Sequence, residues 1–183
     1  TSPYRTQPCH TAISIAGAAG NSEANDRASA ARREAVSISE ALVTRTPADR
    51  EARKVAGAAL FAMATSARRE ESLRYWERAG AIYESLLAEQ PGDWNAQRNV
   101  ALVEKYVGTH FSKIEDDARA MAHYERALAL DERRLQTDPS NREVQVDVAN
   151  DLGLVASTKM DIGRYAESAA GYERNLAMRE ALL

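Results

Sequence analysis

The 183-residue chain has little of what breaks or staples a fold: nine Gly, five Pro and one Cys. Scarce Gly and Pro leave long stretches free to continue as helix, and the single Cys9 excludes an internal disulfide. Two Phe and two Trp are too few for most β-sandwiches, whose strands are lined by aromatic and β-branched residues. No apolar run approaches the roughly 18 residues that a membrane span requires. The apolar stretch Ala12–Ala19 is short, is interrupted by Ser14 and lacks the basic flank of a signal peptide. Lys plus Arg number 24 against 27 Asp plus Glu, a net charge of -3, which argues against general affinity for nucleic acid. What is abundant is Ala, the best helix former, with 35 residues. The composition predicts an all-α protein.

Internal repetition sets the architecture. Trp76-Glu77-Arg78 recurs at equal intervals as Tyr124-Glu125-Arg126 and Tyr172-Glu173-Arg174. Pro91-Gly92-Asp93 recurs at the same interval as Pro139-Ser140-Asn141. Pro47-Ala48-Asp49 precedes Pro91 by an interval shorter by about one helical turn. Each unit reads as two helices. Asp49, Asp93 and Ser140 or Asn141 stand where an N-cap belongs, with a side-chain oxygen for the first free backbone N–H groups. Ala96, Val100, Val103, Val107 and Ile114 make one helical stripe, and Val144, Val148, Leu152, Val155 and Ile162 repeat it. Turns are expected at Ala67-Arg68, Glu115–Asp117 and Ile162–Arg164. The second helices end before their Pro, which disfavours helical geometry in the residue ahead of it.

Four hairpins result, at about 8–46, 47–90, 91–138 and 139–183, after an irregular segment 1–7. In the first, Thr11–Ala19 and Ala28–Thr46 are expected as two helices. By period the next Pro falls past Leu183, so the chain reads as a fragment of a longer array.

The third hairpin resembles the tetratricopeptide repeat: Gly108 at the small position, Phe111 one turn on, then Ala120, Tyr124 and Ala127 in the second helix. The fourth matches more weakly through Ala156, Lys159, Ser168, Tyr172 and Asn175, and Gly163-Arg164-Tyr165 is similar to the family's turn. The repeats, at about 44–48 residues, are longer than the family's usual length of about 34. The resemblance implies a right-handed α-α superhelix of about four hairpins, with Tyr124 and Tyr172 filling space beside Gly108 and Ala156. The wording Leu128–Arg133 and Asp138–Asn141 further resembles repeat regions attached to bacterial membrane-bound serine/threonine kinases. No Gly-rich phosphate loop, His-Arg-Asp or Asp-Phe-Gly element occurs, so no phosphotransfer is expected within these residues.

Chemistry-bearing residues favour structural readings. Cys9-His10 with His110 and His123 lacks the convergent pair spacing of a zinc site, and Cys9 lacks a positioned base. Glu70-Glu71 and Glu115–Asp117 suit helix N-termini, where the dipole favours negative charge. Arg32-Arg33, Arg68-Arg69 and Arg133-Arg134 lie among acids as a mixed solvated face. The recurring aromatic of the Trp/Tyr-Glu-Arg tripeptide is expected in the core, whereas Trp94 either closes a hairpin junction or faces a partner. No catalytic residue, metal or cofactor is expected, and the chain is read as a non-enzyme.

The resemblance implies that first helices line the concave side. Helical spacing then places Phe61, Thr65 and Arg68 of the second hairpin there, with Lys105, Thr109 and Ser112 of the third. In the fourth, Asn150, Ser157 and Asp161 join Gly153 and Met160. The Lys/Asn set by which some family members clamp a terminal carboxylate is not reproduced. The expected function is a protein-interaction scaffold that takes a peptide or protein partner, with self-association also open. The alternative is a regulatory or sensory segment of a larger signalling enzyme, cytoplasmic or, if joined to a membrane kinase, extracytoplasmic.

Overall fold

The computed structural model describes the backbone of residues 7–183 and the side chains of residues 23–183. Seven α-helices follow one another: α1 Gln7–Arg45, α2 Arg50–Ser66, α3 Arg69–Glu89, α4 Trp94–Ser112, α5 Asp117–Thr137, α6 Arg142–Asp161 and α7 Tyr165–Glu180. Each helix packs mainly on the one before it and the one after it. The described residues therefore form an all-α stack of hairpins, α2 with α3, α4 with α5 and α6 with α7.

Local chemistry places the helix starts. Asp49 accepts from the backbone N–H groups of Glu51 and Ala52, Asp93 from Ala96, and Asn141 from Glu143 and Val144. Of the two candidates in the last loop, the cap is thus Asn141. One helical turn inside, Gln97 and Gln145 reach back to donate to the carbonyls of Pro91 and Pro139, each at 2.7 Å. The turns within hairpins fall where the sequence puts them. Ala67 and Arg68 link α2 to α3, Glu115 takes φ 60° before the Asp116 cap of α5, and Gly163 takes φ +79° before α7. Only a residue without a Cβ adopts that last conformation at no cost.

Three expectations need correction. The segment read as a first hairpin is one continuous helix of 39 residues, α1. Positions 21–46 contain neither Gly nor Pro, so nothing there ends the i→i−4 ladder until Pro47. The second correction concerns Tyr172. Its counterpart Tyr124 is 3% exposed and fills the space over Gly108, where an added Cβ would lie 2.7 Å from the ring. In the last hairpin Gly171 faces Ala156 instead, and Tyr172 is 41% exposed. Ser168 takes the buried position and donates to the Ala156 carbonyl at 2.7 Å. Ile114 and Ile162, read as ends of apolar stripes, lie past their helices and are exposed.

The core is a continuous apolar seam through α1–α6, from Val36 through Leu60, Tyr83, Leu86, Val100, Phe111 and Tyr124 to Val155. A smaller cluster of Val144, Val148 and Leu152 takes Trp94, Leu128, Leu135 and Met178 against it. Trp94 therefore closes a hairpin junction. The Trp/Tyr-Glu-Arg recurrence also has a physical account in its last residue. Arg78, Arg126 and Arg174 pair with Glu40, Glu84 and Glu132 two helices earlier, on α1, α3 and α5, and these acids recur at the steps of the repeat itself.

Candidate functional site: a groove between the first helices

The first helices α2 and α4 lie side by side and line two cavities in succession. One, of about 400 Å³, has Lys54, Ala58 and Phe61 of α2 facing Asn95, Asn99 and Leu102 of α4, with Tyr83 and Leu86 of α3 at its base. The other, of about 480 Å³, continues with Thr65 of α2, Tyr106, Thr109 and His110 of α4, and Lys113 just past its end. Its far wall is the start of α3, Arg69 and Trp76 included. The Phe61 ring meets the Tyr106 ring edge-on at 5.2 Å, and Trp76 stacks on the other side of Tyr106 at 5.4 Å. These three rings divide and floor one trough. Along α4 it runs from Asn95 to Lys113, about 27 Å at about 1.5 Å per residue.

The residues expected from the sequence divide by environment. Phe61, Thr65 and Thr109 come together in the trough. Thr65 and Thr109 donate their hydroxyls to the backbone carbonyls of Ala62 and Lys105; the Thr109 oxygen also accepts from the Tyr124 hydroxyl at 3.2 Å, which leaves the Thr65 oxygen as the acceptor. Arg68 stands exposed at the N-cap position of α3, one residue before Arg69. Ser112 is half-buried at the end of α4. In the last hairpin Asn150 is exposed and accepts from Arg179 at 2.9 Å, Ser157 is half-buried, and Asp161 is exposed at the end of α6. These three line neither cavity.

Lys105 is the clearest difference from expectation. On an open face it would point to solvent, but its side chain is only 13% exposed and enters a buried ionic cluster. Its Nζ donates to Asp131 at 2.8 Å and lies 3.0 Å from Asp151 and 3.8 Å from Asp147. Arg134 donates to Asp131 at 2.6 Å and to Asp147 at 3.2 Å, with its guanidinium 4.7 Å above the Trp94 ring. Asp131, Arg134 and Asp151 are all 0% exposed. The physical reason is charge pairing: a Lys facing three carboxylates in a low-dielectric junction is held by them. The cluster is an internal substitution for apolar packing. Phe61, Tyr83, Leu86 and Val103 of one junction stand where Lys105, Asp131, Arg134 and Asp151 stand in the next. The first-helix side is consequently an open trough between α2 and α4 and is filled by ion pairs between α4 and α6.

Three carboxylates against two cations leave one negative charge in excess, and Asp151 has no partner beyond the Lys105 ammonium at 3.0 Å. Burial pushes the Asp151 carboxyl up to about 8, against the opposing pull of Lys105. The nearby carboxylates hold Lys105 above its usual range despite burial, which acts the other way. A proton on Asp151 thus makes the cluster neutral.

On the second-helix side, Glu104 is buried and held by His123 at 2.6 Å and Arg126 at 2.7 Å. His110 lies apart from them on the trough side, so His110 and His123 do not converge. Among the described residues no group of three or more His, Cys, Asp or Glu is placed to hold a metal ion. Cys9 and His10 lie outside the described side chains. No described helix is long and apolar enough to cross a membrane.

The chain resembles a solved tetratricopeptide protein. TTC0263, a thermophilic TPR protein of Thermus thermophilus, is 20% identical, over 84% of this chain and 72% of that one, with a TM-score of 0.41. No family model matches the chain, and no curated protein matches it by sequence. Within Leu128–Arg133 and Asp138–Asn141, Asp131 sits in the ionic cluster, and Asp138 accepts from Ser140 and Asn141.

Proposed function

We propose that this chain is a non-catalytic protein-interaction module that holds a segment of a partner protein in the trough between α2 and α4. The observation that carries the reading is the pairing of an aromatic floor with polar walls. Phe61, Tyr106 and Trp76 offer apolar area, while Asn95, Asn99 and the Thr65 oxygen suit a peptide backbone. A trough of about 27 Å accommodates about eight extended residues at about 3.4 Å each. Phe61, Thr65 and Thr109 contact the segment; Arg68 and Ser112 flank the cavity end; Asn150, Ser157 and Asp161 would extend the surface along α6.

The test is to pan a displayed random-peptide library against the chain and against Ala58→Arg, which puts a long charged side chain into the trough from an exposed position. The expected result is a recurrent sequence pattern selected by the unchanged chain and lost in Ala58→Arg. Selection of the same pattern by both would contradict the assignment.

A further inference from the structure

The second cavity carries information about what its occupant must supply. Its wall holds three basic side chains, Arg69, His110 and Lys113, and no acidic one. None of the three forms an ion pair among the described residues, although Arg50, Arg53, Lys105, Arg126 and Arg134 all do. This cationic rim belongs to a chain whose net charge is -3, so the charge is local and not a general property. The hydroxyls of Thr65, Ser72 and Thr109 already donate to backbone carbonyls, which leaves Arg69 and Lys113 as the charged donors for a guest. Between them lies the Trp76–Tyr106 stack, an apolar floor too broad for a small anion to cover.

We infer that the second cavity takes an acidic side chain of a partner segment beside an aromatic one, the ring on the Trp76–Tyr106 floor and the carboxylate among Arg69, His110 and Lys113. This rests on the trough being a docking surface and adds the chemistry of its occupant. Charge complementarity selects the acid: a carboxylate accepts from the cationic Arg69 and Lys113, and such charge-assisted bonds are stronger than neutral ones. The ring follows from the floor, since an anion alone leaves the aromatic area wet. A side-chain acid fits a segment running toward Asn95 in either chain direction, whereas a terminal carboxylate would fit one direction only.

The test uses a capped peptide, acetyl-Gly-Ser-Glu-Phe-Glu-Ser-Gly-amide, titrated into the isotope-labelled chain. The readout is the indole N–H signals of Trp76, on the cavity floor, and of Trp94, in the α4–α6 junction, which serves as the internal reference. The expected result is a saturable shift of Trp76 with Trp94 still. Replacing both Glu by Gln in the peptide weakens affinity roughly tenfold or more, and Arg69→Gln or Lys113→Gln in the chain weakens it severalfold each. Replacing the peptide's Phe by Ser abolishes the shift. Four results overturn the inference: no Trp76 shift at millimolar peptide, equal affinity for the Gln peptide, an equal shift with inorganic phosphate alone, or equal binding of an uncapped neutral peptide through its terminal carboxylate. Equal binding of the Gln peptide at Trp76 leaves the docking surface standing and removes only its acid chemistry. Retention of the panned pattern by Ala58→Arg removes the docking surface itself. Arg69 and Lys113 are exposed, so their variants are expected to fold.

Discussion

Lys105 shows how far one side chain's meaning depends on neighbours distant in sequence. Helical spacing sets it in line with Phe61 one repeat earlier, and nothing local says that Asp131, Asp147 and Asp151 will close around it. Lys105→Met leaves buried carboxylates facing no ammonium, and the loss is expected to be about 3–5 kcal/mol in denaturant unfolding. A change under about 1 kcal/mol would mean that the cluster is better solvated than its burial implies. Asp151 gives a pH signature with a defined sign. Its folded carboxyl is raised to about 8 from the ordinary 3.8. The folded state therefore holds a proton that the unfolded state releases, and stability falls as pH rises between those two values. Asp151→Asn keeps the neutral form at every pH. The stability of the variant relative to the parent is expected to be clearly greater at about pH 9 than at about pH 5. Unfolding curves at both pH values decide this, and a constant difference across the range would contradict the account.

At the scale of single elements, the close helix contacts were legible and their partners only partly so. Gly108 and Tyr124 meet as the small-residue and aromatic positions lead one to expect, because both lie in the same hairpin and obey its spacing. Gly108→Ala should destabilise the chain by about 1–3 kcal/mol through overpacking against the Tyr124 ring, even though Ala favours helix by about 1 kcal/mol. Gly92→Ala, with nothing within 4 Å of the added Cβ, should change little. Equal thermal midpoints for the two variants would contradict the packing assigned to α4 and α5. The caps Asp49, Asp93 and Asn141 were legible for the same local reason, and Asn141→Ala is expected to cost about 1 kcal/mol. The α1 helix was not, since a truncated copy of the repeat looks the same whether or not a turn interrupts it. The Arg of the recurring tripeptide was visible while its Glu partner on the previous second helix was not. A pair across helices shows only when both members are compared at the repeat step.

For the whole molecule, what distinguishes one junction from the next is written in aligned positions of successive repeats. Phe61, Tyr83, Leu86 and Val103 all become charged residues one repeat later, two of each sign. Four apolar positions changing together to balanced charges is the sequence signature of an ionic junction. It also marks where the open trough stops, between the α2–α4 and α4–α6 junctions. The hairpin stack follows from period and caps alone, but the trough requires knowing which of two equivalent junctions is filled. Its role in binding is tested most directly by mapping amide shifts across the labelled chain on titration with a panned segment. The account predicts perturbations along 54–65 and 95–113 and at Trp76, with the second-helix faces of α5 and α7 unchanged. A map centred on α5 and α7, or on α1, would contradict it.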